Sequence, residues 1–265
     1  MTPETSANNP ELANLLCDLA YTCAKTAGAL LMTRPPAFEL TTKSTAIDFA
    51  TQMDEAAEKL IVDSILATRP DDGIIAEEGA ARTSKSGITW VIDPLDGTVN
   101  YFYGLPGWNV SIAARDQHGV IAGVVYAPTT DSLWRATRAG GAFLNDLPIR
   151  ANFGVALDRA LLGTGFAYDV ADRTEQIAMT SYLLPRIRDI RRTGAAAVDL
   201  CNVAMGALDG YFETGLKEWD WAAGGLIATE AGAQITHLGS GERKLTIAAG
   251  PGLFDALTSA LAASA

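Results

Sequence analysis

The sequence predicts a layered α+β protein, and three observations lead there. Amphipathic helical stretches and short runs of β-branched residues alternate in blocks along the 265 residues. Apolar residues make up 48% of the chain and charged residues 19%, enough to bury a substantial core. No internal repeat, low-complexity tract or long linker divides the chain. One packed unit over residues 1–265 is expected, with an N-terminal half of about 1–150 and a C-terminal half of 151–265.

Leu12, Leu15, Leu16, Leu19, Cys23, Leu30 and Leu31 recur mostly at steps of three and four, which predicts an amphipathic helix stopped at Arg34-Pro35-Pro36. A second helix from about Thr51 to Ala67 places Met53, Ala57, Leu60, Ile61 and Ile65 on one face and ends at Arg69–Gly73. Ile74-Ile75-Ala76 and Ile88–Ile92 read as buried strands that run straight into acidic residues. Val110–Ala114, Val120–Tyr126 and Leu133–Ala136, separated by turns at Asp116–Gly119 and Pro128–Asp131, read as an antiparallel meander. Beyond it the pattern gives a strand at Ala160–Thr164, a helix from Asp172 to Leu184 and a helix from Gly194 to Met205 closed by Gly206. Strand Gly210–Glu213 and helix Trp219–Ala231 follow, then strands Gln234–His237 and Lys244–Ala248 and helix Phe254–Leu261.

With 31 acidic and 20 basic residues the net charge is −11. Such a surface repels phosphate backbones and anionic lipid, so a general nucleic-acid binder or membrane-surface protein is not expected. An anionic substrate would need positive charge from another source. Met1 to Glu11 is polar and acidic, without a basic segment leading into an apolar run, and no apolar stretch approaches the roughly 18 residues of a membrane span, so the expected location is the cytoplasm. Cys17, Cys23 and Cys201 are too few and scattered for a disulfide framework and read as small core residues.

The sequence contains no GxSxG elbow, HExxH helix or GxxxxGK[ST] loop, and Gly163-Thr164-Gly165 lacks the third glycine of a dinucleotide fingerprint. His118 and His237, the two histidines, read as surface residues at a hairpin turn and a strand end. Carboxylates at the ends of apolar strands are what remain: Glu77-Glu78, and Asp93-Pro94-Leu95-Asp96-Gly97-Thr98. Pro94 forbids simple strand continuation and Gly97 permits a tight reversal, so Asp93 and Asp96 can converge. Two ionised carboxylates in a partly dry pocket are costly, and a hard divalent cation with oxygen ligands resolves that cost, the Leu95 carbonyl serving as a further ligand. The Gly97 and Thr98 amides can hold an anion such as phosphate, and the Thr98 hydroxyl can orient a water. Taken singly, DxxDG also fits a surface turn, Glu77-Glu78 a solvated turn, and Glu218-Trp219-Asp220-Trp221 a helix N-cap formed by Asp220. The joint pattern carries the inference.

Trp90-Val91-Ile92-Asp93-Pro94-Leu95-Asp96-Gly97-Thr98-Val99-Asn100 resembles the first signature of the inositol monophosphatase family, and Trp219–Gly225 through Glu230-Ala231-Gly232 resembles the second. The likeness extends to Lys43-Ser44, Asp48–Asp54, Ala76–Gly79, Gly194–Ala197 and Asp209–Gly215, in order along nearly the whole chain. It implies an α-β-α-β-α sandwich, commonly a homodimer, with two or three Mg²⁺ ions. Carried over, Glu77, Asp93 and the Leu95 carbonyl would hold a first Mg²⁺, and Asp93, Asp96 and Asp220 a second. Paired cations would clamp the attacking and leaving oxygens of an in-line displacement, supplying the positive charge that a −11 chain lacks. Glu77 and Thr98 would position the water, with Asp54 supporting Thr98 or joining a third metal. Asp93, Gly97 and Thr98 would meet the phosphate, without a phosphoenzyme. Gly194, Ala195 and Ala196 would face the substrate ring, and Glu213 would accept hydrogen bonds from its hydroxyls. Ala76, Val99 and Ala195 depart from the Gly, Thr and Ser or Thr frequent in the family, and Ala195 leaves one fewer hydroxyl near the ring.

The resemblance therefore implies a lithium-sensitive, Mg²⁺-dependent phosphatase for inositol 1-phosphate or a related small phosphorylated polyol. Fructose 1,6-bisphosphate, histidinol phosphate, NADP and 3′-phosphoadenosine 5′-phosphate are alternative substrates. Arg186, Arg188, Arg191 and Arg192 offer a cluster for a second phosphate, or a solvated helix end or dimer patch. A regulatory protein-binding role on the same fold, as for relatives that touch transcription machinery, and a plain calcium-binding protein are the other classes.

Overall fold

A computed structural model describes residues 9–45, 47–241 and 243–264. Residues 1–8 of the polar N-terminal stretch lie outside the described residues. Helix α1 (Pro10–Leu31) is capped by the Asn9 side chain, which accepts from the Leu12 N–H at 3.1 Å, and Pro10 fills a first-turn position where no N–H is needed. Strands β1 (Leu40–Thr42) and β2 (Phe49–Thr51) form a small hairpin leading into α2 (Gln52–Thr68). Next come β3 (Gly73–Ala76), β4 (Ala81–Arg82), β5 (Thr89–Asp96) and α3 (Thr98–Tyr103). The expected meander follows as β6 (Asn109–Asp116), β7 (Gly119–Ala127) and β8 (Ser132–Thr137), extended by β9 (Gly141–Leu144) and β10 (Leu147–Pro148). The remainder is β11 (Leu161–Thr164), α4 (Val170–Leu183), β12 (Asp189–Arg191), α5 (Ala196–Ala204), β13 (Gly210–Thr214), α6 (Glu218–Glu230), β14 (Gln234–Leu238), β15 (Leu245–Ala249) and α7 (Phe254–Ala262).

These elements stack as the five layers that the family resemblance implies. The large sheet has the order β10-β9-β8-β7-β6-β5-β3-β4 and the smaller one β12-β11-β13-β15-β14. Helices α1 and α2 pack their apolar stripes (Leu16, Ala20, Leu31, Ile61, Ile65) on one face of the large sheet against Trp90, Ile92 and Val124. Its other face carries Val91, Ala113, Val125 and Trp134, which pack on α5 and α6, and these helices in turn cover the smaller sheet. Helix α7 closes the outer face of the smaller sheet and packs against α4. The large sheet is almost wholly antiparallel, with β3 and β5 its parallel pair, and β11 runs parallel to both β12 and β13. Among the described residues no helix is long and apolar enough to cross a membrane. The three cysteines are free and buried, as expected.

Two local expectations are corrected. Pro94 does not end its strand: β5 continues to Asp96, and its pairing with β6 steps from Asp93–Ser111 to Asp96–Asn109, one residue longer on β5. The proline sits in that bulge, where its missing N–H costs no ladder bond. His237 is not a surface residue; it is partly buried within β14, its ring 4.3 Å from that of Trp221, with Nδ1 3.0 Å from the Thr246 hydroxyl.

The middle layer depends on close approach. A Cβ built at Gly123 on β7 would lie 3.0 Å from the Cα and carbonyl oxygen of Ala223 on α6, so glycine lets the helix seat on the sheet. Gly123→Val should therefore destabilise the fold by about 1–3 kcal/mol through overpacking, read by urea denaturation. A midpoint equal to wild type would show that α6 is free to shift.

Candidate active site

The bulge in β5 turns two acidic side chains toward α5 and α6. Asp93 is 2% exposed and accepts the Leu95 N–H at 3.0 Å. Asp96, 9% exposed, accepts the Asn109 side-chain amide and the Ala197 N–H, both at 2.9 Å. Through the second bond the first turn of α5 is tied to the end of β5. Gly97 then reverses the chain at φ 87°, where a Cβ would press at 3.3 Å on Ala195 Cβ and the Gly194 carbonyl. At the start of α3 the Thr98 hydroxyl lies 2.9 Å from Asp54 Oδ1 and 3.1 Å from the Leu95 carbonyl. Asp54 is fully buried, and its Oδ2 closes a capping box at the head of α2 by accepting the Thr51 N–H at 2.8 Å and hydroxyl at 2.6 Å.

Two more carboxylates arrive from elsewhere in the chain. Glu77 follows β3, and Lys43 from the loop after β1 spans it and Glu78 at 2.8 and 2.6 Å. Glu58 of α2 accepts the Glu78 and Ala80 N–H groups at 2.7 and 2.9 Å, fixing the β3–β4 turn, so Glu77-Glu78 is an anchored turn rather than a solvated one. Asp220 does not cap α6 from outside; it occupies the first turn and accepts the Lys217 N–H at 2.6 Å. Glu77, Asp93, Leu95, Asp96, Gly97, Thr98, Gly194, Ala195, Ala196, Glu213 and Asp220 all line one cavity of about 150 Å³. Asp54 stands behind Thr98 rather than on the cavity wall.

Electrostatics explain why this cavity is unusual. Burial, then the fields of Glu77, Asp96 and Asp220, push the Asp93 carboxyl well above its ordinary range. Burial, then Glu77 and Asp96, do the same to Asp220. Burial raises Asp96 to about 6 against its hydrogen bonds from Asn109 and Ala197. Burial works against the Lys43 ammonium, yet Glu77 and Glu78 hold its pKa above the usual lysine range. The donors are all hard oxygens facing a small space, the ligand chemistry of Mg²⁺ rather than of a thiophilic metal. Among the described residues, no group of three or more His, Cys, Asp or Glu is already gathered tightly enough to hold a metal ion. A larger cleft of about 460 Å³ between α1 and β7–β9 is lined by Cys17, Asp116, Arg135 and Arg138, with no such convergence of acids.

Lys43, Tyr168 and Asp199 line the cavity without a role having been read for them in the sequence, and Arg192 was offered only as part of an arginine cluster. Lys43 stood in a matched segment without a role, whereas Asp199 is hidden in an apolar helix pattern. The four arginines do not cluster. Arg186 stacks on Tyr182, Arg188 bonds the Arg159 carbonyl and Arg191 pairs with Asp189, leaving Arg192 at the cavity. Glu213 is a partly buried cavity wall rather than a surface strand end, and the Tyr211 hydroxyl donates to its Oε2. Burial raises Glu213 to about 7 against Tyr211 and Arg192, and burial raises Asp199 to about 7 against Thr193. A carboxyl raised on folding binds its proton more tightly in the native state, so its stabilisation is lost as pH rises through the folded value. Metal-free protein should therefore melt at a higher temperature at pH 5.5 than at pH 8, measured by scanning calorimetry; the reverse slope would contradict these burial shifts.

The chain is similar to known proteins along most of its length. Residues 14–264 match the inositol monophosphatase family. The chain is 41% identical over 231 residues to the inositol-1-monophosphatase SuhB of Mycobacterium tuberculosis, covering 83% of this chain and 80% of the relative. It is 40% identical over 231 residues to the Nus factor SuhB of Escherichia coli, covering 85% and 86%. The crystal structure of the extragenic suppressor protein suhB from Bartonella henselae superposes with a TM-score of 0.86 at 33% identity, covering 92% of this chain and 97% of that one. A match that runs across nearly the whole chain, onto most of each relative and onto the same five-layer fold, makes this chain a member of the inositol monophosphatase family.

Proposed function

We propose that the chain is a Mg²⁺-dependent phosphomonoester hydrolase for a small polyol phosphate, inositol 1-phosphate before fructose 1,6-bisphosphate or the nucleotide substrates. The observation that carries this reading is the convergence of Glu77, Asp93, Asp96 and Asp220, from three separate stretches of chain, on one cavity. Glu77, Asp93 and the Leu95 carbonyl would hold one Mg²⁺, and Asp93, Asp96 and Asp220 another. When bound, these ions supply positive charge to the phosphoryl oxygens and make a water nucleophilic near neutral pH.

The chain's own residues do the rest. Asp54 accepts the Thr98 hydroxyl proton, so the free lone pair of the Thr98 oxygen points an acceptor at the attacking water. Glu77 accepts the water's second proton, and Lys43 keeps Glu77 paired and in place. The Gly97 and Thr98 N–H groups face the phosphate at the reversal where no larger residue fits. Gly194 to Ala196 and Glu213 line the end of the cavity left for the polyol, and Glu213 accepts from hydroxyls. A homodimer, inhibition by Li⁺ and a cytoplasmic setting come with the family reading. The relatives named Nus factor favour a second role in protein binding. RNA polymerase subunits co-purifying equally with wild type and Asp93→Asn would establish it, and their absence from both would remove it.

Phosphate release from inositol 1-phosphate should require Mg²⁺, and Asp93→Asn should lower kcat/KM by more than about 100-fold, beyond what loss of an outer partner of a metal ligand costs. Unchanged turnover in that variant would refute the proposal. The same substitution takes away a buried carboxyl whose ionisation its acidic neighbours oppose, so metal-free Asp93→Asn should melt no lower than metal-free wild type, while Mg²⁺ raises the melting temperature of wild type alone. Equal Mg²⁺ stabilisation of both proteins would place the ion elsewhere.

A further inference from the structure

Gly163-Thr164-Gly165 has no part in the reading above. It lies at the end of β11, where Thr164 is buried and its hydroxyl donates to the Phe212 carbonyl at 2.9 Å, tying β11 to β13. The two glycines flank that tie, and Gly165 leaves room for an acid group. A Cβ at Gly165 would fall inside the Glu213 carboxylate, and a Cβ at Gly163 would lie 3.4 Å from Asp199 Cγ. Glu213 therefore reaches this cavity wall because the residue after β11 has no side chain, while Gly163 makes room for Leu208 and Tyr211, and Asp199 lines the same cavity.

Asp199 is 1% exposed, and its Oδ1 has no hydrogen-bond partner among the described residues. Glu213 differs, since it has the Tyr211 hydroxyl and the field of Arg192. Thr193 and Asn202 support the Asp199 carboxyl in part, and its Oδ1 remains an open acceptor beside the space that would take the leaving group. A neutral polyol tolerates that field and donates hydroxyls to it, whereas a second phosphate must bring its own negative charge against it.

We propose that Asp199 is a specificity-determining residue that, together with Glu213, makes an acidic floor selecting neutral polyol monophosphates and rejecting substrates with a second phosphate at that end. The proposal rests on the phosphatase reading. Its test is the ratio of kcat/KM for inositol 1-phosphate to that for fructose 1,6-bisphosphate, at fixed Mg²⁺ and at about pH 8.5, above the value of about 7 to which burial raises both carboxyls. Asp199→Asn keeps the shape and removes the charge, and it should lower that ratio about tenfold, while Asp199→Glu restores it toward wild type. Gly165→Ala, which displaces the Glu213 carboxylate, should move the ratio the same way and keeps the test alive if Asp199→Asn does not fold. A ratio within about twofold of wild type in Asp199→Asn and Gly165→Ala, however far activity falls, would overturn the acidic floor and leave the phosphatase reading standing. A wild-type preference for the bisphosphate would do the same. Wild type that hydrolyses neither ester would overturn both.

Discussion

Repulsion among buried carboxylates is the constraint on which the active-site architecture turns. Asp93 and Asp96 are almost wholly buried, with Glu77 and Asp220 on the same cavity. Burying like charges together opposes folding, and one lysine cannot cancel them. The fold holds the acids there with secondary structure rather than with counter-charges. Asp93 and Asp96 sit on either side of a bulge, Asp220 in the first turn of α6, and Glu77 at a turn pinned by Glu58. Such a concentration of negative charge is what the proposed uptake of cations would make intelligible, and those cations would supply the positive charge that an acidic chain lacks for a phosphate ester.

The middle helical layer makes the site possible. Helix α5 hangs on Asp96 through the Ala197 N–H, and α6 rests on the sheet where Gly123 gives it room. The acids of the large sheet and those of the C-terminal segments are thereby brought to one place. The Glu213 end of the cavity is built in the same manner: Gly165, just after β11, makes space for the Glu213 carboxylate. Small residues at contact points, more than attractive pairs, decide where the charged groups go.

Much of this was legible in the sequence because burial leaves a period. The meander from Val110 to Ala136 announced itself through β-branched runs, and the helices on either side through steps of three and four. Strands β1, β4, β10 and β12 are two or three residues long, too short for any period to show. The bulge at Pro94 was read as an end because a proline in a bulge and a proline after a strand look alike in sequence. Glu77, Asp93 and Asp96 stood out as acids at the ends of apolar strands and Asp220 came only with the family resemblance, but Asp199 lies within an apolar helix and Lys43 in a loop. Their roles depend on contacts across the fold that no local spacing encodes.

The most direct test of the central claim is anomalous diffraction from crystals soaked in Mn²⁺, which reports where a hard dication goes independently of turnover. Two anomalous peaks within bonding distance of Glu77, Asp93, Asp96 and Asp220, with Asp93 touching both, are the expected result. Crystals that diffract well and show no peak among these side chains would contradict the account.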